Sequence, residues 1–502
     1  MSQHDRRSLW WGLADQRPRD PVDATDLPGH ADVLVVGAGI TGMSTAVQLA
    51  RGGVRVVVVE AYRVGSGTTG HSSAKVTLLQ GSQLQQVRQH VDDDTLKAYV
   101  EANRAGQGWL LAALRRGGIE PEIRDALTYA VTTQGARAVQ AERESSRLAG
   151  LPVVDAPHPG LPFTVTDAIL LPDQAQIDPL AAVRVLAAEL VELGGVIVEG
   201  VRVRDVSMRR PWTVDTTAGP ITAGHLVLAT QAPILNRTGH TAGMSAHRSY
   251  VLAYPVDEDT RLPMAISLDD NARSLRTATT SRGTFLLVGG GGHAVGIGSA
   301  AQHVAELQGW ARANLGVGEP SWSWSAQDYR LTTGMPSVGP ATGTDGTLLV
   351  ATGFDKWGLA TGAAAGQVLA GHVLGQVPGF AAGLHGHGVH LRQLGETVAR
   401  VGSTLQHAVG DRAALATPGH AASRTPPAEG EGRLEGNPVA PTAVSTVDGR
   451  SCRVSGVCTH LGGILSWNDI EKSWDCPIHG SRFAPDGTLL EGPATTDLSD
   501  HD

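Results

Sequence analysis

The chain has 502 residues, 41% of them hydrophobic, and a formal charge of −9. That length exceeds one ordinary domain of about 100–200 residues, so two or three folding units with a large buried core are expected. The acidic balance argues against a nucleic-acid partner, and no apolar run reaches the roughly 20 residues that cross a bilayer. Three cysteines cannot frame a disulfide scaffold and suit a reducing compartment, so the expected localisation is cytoplasmic. Residues 1–30 read as a polar N-terminal extension whose basic start lacks the apolar core of a secretory signal.

The first ordered unit is "ADVLVVGAGITGMSTAVQLARGGVRVVVVE", which reads as strand, glycine turn, helix and strand. Gly37, Gly39 and Gly42 are spaced as a dinucleotide fingerprint, with Ile40 and Thr41 opening the helix. Gly37 permits the tight turn, Gly39 admits a pyrophosphate to the backbone, and Gly42 lets helix and strand approach. Glu60 ends the second strand, where a carboxylate accepts hydrogen bonds from ribose hydroxyls. Helical patterning follows from Gln83 to about Arg147 and again over 178–193, entered through Asp178 and Pro179. Alternating runs between Arg248 and Gly289 predict a largely antiparallel sheet, the usual form of a substrate-facing layer. "VGGGGHAVGIG" at 288–298 does not make a second dinucleotide site, because Val295 occupies the third glycine position and no good helix follows. "TLLVATGFDKWGLATGAAAGQVLAGHVLG" then reads as strand, loop and helix.

Residues 391–426 read as a polar helix and an exposed linker, and 427–502 as short strands and turns. His385, His387 and His390 read as a solvated loop, having no evident carboxylate partner. Residues 425–502 carry 5 basic and 12 acidic side chains, a net −7 that is either a solvated face or a steering surface for a basic electron-transfer partner. Within that tail, Cys458 with His460, and Cys476 with His479, supply one thiol and one imidazole from each of two short loops. Zinc and iron–sulfur units both accept such ligands. Zinc modules usually pair like with like in each knuckle, whereas mixed loops suit a cluster with two chemically different irons. Cys452 matches no ligand position and reads as a buried strand residue.

Two resemblances sharpen this. "GSGTTGHSSAKVT" at 65–77, "LVLATQAPI", "QDYRLTTGMPSVGP" and "ATGFDKWGLATG" are similar to the D-amino-acid oxidase-like family of FAD-dependent oxidoreductases, over about 32–375. The resemblance implies an α/β FAD-binding Rossmann-like domain (about 31–80, 175–235 and 326–380) with an antiparallel-sheet substrate domain (about 81–174 and 236–325), together 31–390. It implies FAD rather than NAD, with Gly67, Thr68, Thr69 and His71 near the flavin and the late loop of Gly353, Trp357, Gly358 and Leu359 against the isoalloxazine and ribityl chain. In family members that oxidise N-methylated glycines, a histidine in such a segment bonds covalently to FAD; His71 either does the same or makes a polar contact to flavin or ribityl oxygens. The family often clamps a substrate carboxylate with arginine, which points to Arg276 as a catalytic-site residue beside Tyr250.

"CTHLGG", "CPIHGSRF" and "DGTLLEGPA" resemble a small all-β Rieske [2Fe-2S] domain, with Cys458 and Cys476 on one iron and His460 and His479 on the other. Many such domains carry a bracing disulfide, and Gly463 and Ile478 occupy the matching positions here. The expected result is less rigid loops and a potential toward the lower part of the roughly −150 to +300 mV Rieske range. Together the resemblances imply oxidation of a small amine or amino-acid-like substrate by hydride transfer to FAD, with electrons relayed singly to an electron-transfer protein or other one-electron acceptor. Reverse electron flow for substrate reduction, and a non-catalytic redox-sensing or assembly role, remain as alternatives.

Overall fold

The structure, a computed structural model, describes residues 7–17, 19, 26–235, 243–386, 425–437 and 439–500. The expected helix and linker after residue 390, and His387 and His390, lie outside the described residues. His385 lies inside them, with its Nδ1 3.1 Å from the Val338 carbonyl oxygen.

Runs of Val and Leu make β1 (His30–Val36) and β2 (Val56–Val59), and α2 (Ile40–Arg51) crosses between these parallel neighbours. They sit within an eight-stranded sheet ordered β16 (Ser337–Pro340), β17 (Leu348–Thr352), β10 (Ile221–Leu228), β1, β2 and β7 (Val196–Val198). β9 (Trp212–Thr216) pairs with β10, and β8 (Val203–Val206) with β9. α8 (Gly358–Leu374) lies on α2 so closely that a Cβ on Gly366 would be 2.6 Å from the Ser44 Cβ. α6 (Pro179–Glu192) starts where expected, its first amides donating to the Asp178 carboxylate at 2.8 and 3.0 Å.

A second, nine-stranded sheet is ordered β15 (Trp322–Leu331), β11 (Met244–Val256), β14 (Gly283–Ala294), β13 (Ser274–Thr280), β12 (Met264–Ser267), β4 (Glu122–Ala130), β6 (Asp167–Gln176) and β3 (Lys75–Val76), with β5 (Val154–Asp155) beside β6. It is antiparallel except where β12 meets β4. The tempting glycine run at 288–298 begins in β14, which pairs with β11 and β13.

The structure corrects two readings. The stretch from Gln83 to Arg147 is not continuously helical: α3 (Gln83–Arg88), α4 (Asp93–Arg116) and α5 (Thr133–Leu148) are interrupted by β4, whose outer half is hidden by β6 and β12. The N-terminal extension is not merely polar either. Leu9–Leu13 forms α1, capped by the Ser8 hydroxyl, and its Leu9, Trp10 and Trp11 side chains are buried in the main core. α7 (Ala300–Leu315) covers β14.

The C-terminal domain is all β. β18 (Gly432–Gly436), β19 (Pro441–Val447) and β20 (Arg450–Ser455) form one sheet; β21 (Ser466–Asn468), β22 (Ser473–Asp475), β23 (Arg482–Phe483) and β24 (Leu489–Glu491) form another. Their shared core holds Val454, Leu465, Trp474, Phe483 and Leu489. Among the described residues no helix is long and apolar enough to cross a membrane.

Candidate functional site: a nucleotide cavity joined to a Cys and His cradle

A cavity of about 660 Å³ runs from the first glycine turn, along the nine-stranded sheet, to the C-terminal domain. Gly37 takes φ +103°, where a Cβ would lie 2.6 Å from the Ala229 carbonyl oxygen. A Cβ on Gly42 would overlap the Gly37 carbonyl oxygen, so these two glycines let strand and helix meet. Gly37, Gly39, Ile40 and Thr41 line the cavity; Gly42 shapes it from behind. Glu60 accepts hydrogen bonds from the Ala38 amide (2.8 Å) and the Tyr62 amide (3.0 Å), which fix its carboxylate at the cavity wall. Burial pushes its pKa up, while the two amides oppose the shift.

Gly67, Thr68, Thr69 and His71 also line the cavity, on a single tight turn after β2. The Thr69 hydroxyl accepts from the Ile40 amide at 3.0 Å, so it caps the helix as well as facing the cavity. His71 Nδ1 lies 2.9 Å from the Gly67 carbonyl oxygen. Burial lowers the His71 pKa, so the ring is neutral, its Nδ1 carries the proton, and Nε2 carries the lone pair. Trp357, Gly358 and Leu359 line the opposite wall at the start of α8. Gly353, at φ +80° against Leu331, turns the chain toward them without lining the cavity.

Of the two expected catalytic residues, Tyr250 lines the cavity. Its hydroxyl is buried without a hydrogen-bond partner among the described residues, and its ring stacks on His293 at 5.7 Å. Arg276 is a correction: it does not line the cavity. Its guanidinium donates to the backbone oxygens of Ser73 (2.9 Å), Ala74 (2.8 Å), Ile177 (3.2 Å) and Thr277 (3.1 Å), and lies over the Trp10 ring. Burial lowers its pKa to about 10, still well above neutrality. Arg276 therefore braces the junction of β3, β13 and the residues preceding α6. Arg276→Met should lower stability by about 3 kcal/mol, through acceptors left buried and unpaired, while leaving KM for carboxylate substrates unchanged. Chemical denaturation and steady-state kinetics check both halves.

Sequence reasoning missed several wall residues. Lys75, Gln231, Arg273, Asp328 and Lys356 line the cavity, as do Glu491, Gly492 and Ala494 from the C-terminal domain. Lys75 lies inside the quoted segment 65–77, and a lysine between alanine and valine on a short strand was its only local signal.

The four expected ligands come together in two loops of the C-terminal domain that face the main body. Cys458 and Cys476 are buried, and the rings of His460 and His479 meet edge to face at 5.1 Å. The two thiols share a hydrogen bond that holds the Cys458 pKa down to about 7 and pushes that of Cys476 up, so the pair favours one shared proton. Burial lowers His460 to about 4 and also lowers His479, which keeps both imidazoles neutral, the form that binds metal. His479 Nδ1 is buried with no partner among the described residues.

Among the described residues, no three His, Cys, Asp or Glu side chains converge on one point that would hold a single ion. A thiol pair beside an imidazole pair is a donor set that fits two irons, one held by sulfur and the other by nitrogen. Gly463 and Ile478, the positions of the missing brace, are in contact: a Cβ on Gly463 would lie 2.9 Å from Ile478 Cδ1 and 2.8 Å from Cys476 Sγ. The expected buried Cys452 is half-buried on β20, away from the ligands.

The two sites are joined. Gln327 on β15 donates from Nε2 to the Gly480 carbonyl oxygen, one residue past His479, at 2.8 Å. Arg248 on β11 donates to Gln327 Oε1 (2.7 Å) and Ser325 Oγ (3.0 Å), and its Nη2 lies 3.6 Å from Asp475 Oδ2, next to Cys476. Arg482 continues the network to Asp475, Glu471 and Glu491, each at 3.2 Å, and Arg19 meets Glu491 at 2.7 Å. Burial acts to raise the Asp475 pKa, and the Arg248 and Arg482 guanidinium groups overcome it, holding the carboxyl below its ordinary value. Three carboxylates of the acidic tail thus turn inward toward arginines. Tyr62 and Arg202 donate to the Leu489 carbonyl oxygen at 2.9 and 3.2 Å, seating β24 at the cavity edge.

Residues 32–372 match the family model described as FAD dependent oxidoreductase, and residues 429–501 match the Rieske [2Fe-2S] domain. YhfW of Bacillus subtilis (strain 168), named as a Rieske 2Fe-2S iron-sulfur protein, is 29% identical over 507 residues, covering 98% of this chain and 97% of that protein. The cytochrome b6-f complex iron-sulfur subunit 3 of Nostoc sp. (strain PCC 7120) is 51% identical over 41 residues, covering 8% of this chain and 23% of the subunit. Glycine oxidase from Geobacillus kaustophilus shares the fold with TM-score 0.60 and 20% identity, over 72% of this chain and 100% of that one. L-proline dehydrogenase from P. horikoshii does so with TM-score 0.58 and 18% identity, over 71% and 96%. A glycine turn and buried Glu60 that fit FAD, and a thiol pair beside an imidazole pair that fits a [2Fe-2S] cluster, agree with these matches: the chain belongs to the FAD-dependent oxidoreductase family and is an enzyme that carries FAD and a C-terminal Rieske cluster.

Proposed function

We propose that this enzyme oxidises a small amine or amino-acid-like substrate and passes the electrons singly, by way of its Rieske domain, to an external one-electron acceptor. The supporting observation is the polar bridge between the two sites. Gly480, beside the ligand His479, accepts from Gln327; the Gln327 carbonyl oxygen in turn accepts from Gln231 Nε2 at 2.6 Å and lies 2.7 Å from Thr68 Oγ1, and both of those residues line the cavity. FAD supplies two-electron acceptance from a C–H bond, and the cluster supplies one-electron transfer.

The chain's own contribution is enclosure and orientation. Ser249, Ser267 and Ser274 make the sheet wall polar, and Arg273 makes it cationic, which suits a small substrate bearing a carboxylate. Relatives of the same fold named for glycine and proline favour an amino-acid-like molecule. The test is an anaerobic screen of amines, amino acids and hydroxy acids that follows flavin absorbance and the EPR signal of the reduced cluster together. The reading expects an amine to bleach the flavin and raise the cluster signal; bleaching with no cluster reduction by any substrate rules out the relay.

A further inference from the structure

Lys75 is the chemically unusual group on the cavity wall. It lies on β3, opposite Gln176 of β6, and its Nζ donates to the Ser274 hydroxyl on β13. Among the described residues no carboxylate stands within ion-pair distance of that nitrogen, whereas Arg330, another cation of the cavity wall, is held bidentately by Asp355 at 2.8 and 3.1 Å. A lysine beside a neutral hydroxyl, in a cavity that admits substrate, is free to lose and regain its proton. We propose that Lys75 is the catalytic acid–base residue of this site, its neutral amine taking a proton from the substrate nitrogen before the adjacent C–H bond is oxidised. This inference rests on the reading of the substrate as an amine.

The chemistry balances. A substrate ammonium gives one N–H proton to Lys75 Nζ, and the nitrogen recovers its lone pair. The C–H hydrogen then leaves with its electron pair for the flavin, the oxidant of the proposed reaction, while the lone pair closes a C=N bond. Water hydrolyses that bond, and Lys75 returns its proton to solvent.

The surroundings favour the neutral amine. Burial, followed by the positive charge of Arg276 on β13, lowers the Lys75 pKa to about 7. Arg273, on the cavity wall beside Ser274, is a further cation. Glu122 on β4 and Asp178 before α6 are nearby acids whose charges act on Arg276, as does Arg124 on β4. Asp328 and His71 are two further wall groups whose pKa is shifted toward neutrality or below it, in different surroundings. Asp328 is raised to about 7 but is hydrogen-bonded by the Lys356 backbone and the Gln231 side chain, and the His71 ring is tied to the Gly67 carbonyl. Lys75 is the one of the three whose hydrogen-bond partner is a rotatable hydroxyl.

Four lysines occur in the chain, Lys75, Lys97, Lys356 and Lys472, so the group is measurable without turnover. Reductive 13C-methylation of the full chain should give, besides the N-terminal amine, one lysine methylamine resonance titrating near 7, identified by its loss in Lys75→Met. With the loaded enzyme and an amine that bleaches the flavin, the anaerobic reduction rate should rise through the same pH. Lys75→Met should slow it about 10²–10⁴-fold at neutral pH, with recovery as pH approaches the substrate's own pKa and with FAD content unchanged. Lys75→Arg, which keeps a cation but cannot accept a proton, should be as slow as Lys75→Met. A Lys75 resonance that titrates above pH 9, a Lys75→Met profile like the parent's, or full rescue by Lys75→Arg overturns the assignment. Should no amine bleach the parent flavin, the substrate reading fails, and the NMR titration still reports on Lys75 by itself.

Discussion

Cys476→Ser is expected to yield a protein that purifies without iron or acid-labile sulfide, retains FAD, and still bleaches anaerobically with substrate. Reduction of one-electron acceptors should fall by more than about 100-fold, since losing even an outer partner of a metal ligand typically costs about 10–100-fold. Cys476 is buried at 2% exposure and shares its proton with Cys458, so its loss leaves one thiol beside two neutral imidazoles. The flavin half should be spared because Cys476 does not line the cavity, where the C-terminal domain contributes Leu490, Glu491, Gly492 and Ala494 instead. Iron and sulfide assays, set beside stopped-flow bleaching, separate the two halves of the result. A parent protein containing zinc and no sulfide would refute the premise directly.

Arg248→Met is the second large effect. Arg248 is 1% exposed, orients Gln327 through its Oε1, and stands 3.6 Å from Asp475 across the domain boundary. Its removal leaves the Asp475 carboxylate buried with one cation fewer and frees the Gln327 amide to turn away from Gly480. Breaking a buried pair from one side costs about 3–5 kcal/mol, and the remaining Arg482 contact sets the expectation near about 3 kcal/mol. Added salt should not reproduce the effect, because buried charges are poorly screened. Denaturation of Arg248→Met, Asp475→Asn and the double variant should return a coupling of at least about 1 kcal/mol. Proteolysis should cut first in the C-terminal domain. Additive losses would mean that the two charges act independently.

The features legible in the sequence were those whose chemistry is local. The β1, α2 and β2 unit is written in one run of 30 residues, and its glycines announce the backbone contacts they permit. Cys458, His460, Cys476 and His479 could be picked out because a thiol or an imidazole is its own functional group, whatever surrounds it, and the structure brings them together. Arg276 was misread because its role depends on carbonyls at Ser73, Ala74 and Ile177, which β-sheet pairing brings in from afar. Lys75 was overlooked for the same reason: its partner Ser274 lies 199 residues away. β4 was lost inside a helical reading because its burial is conferred by β6 and β12, not by its own alternation. Nor does any pattern in α1 state that two tryptophans close the main core from the N-terminal side.

The touching pair Gly463 and Ile478 carries a practical corollary. Where a cystine would staple the two loops, van der Waals contact between Gly463 and Ile478 joins them, and each loop is closed on itself by a backbone bond of 2.8 Å, from Cys458 to Gly463 and from Cys476 to Ser481. Such a closure is indifferent to dithiothreitol or glutathione, so the conditions that keep Cys458 and Cys476 ready to receive iron do not also undo the loops that receive it.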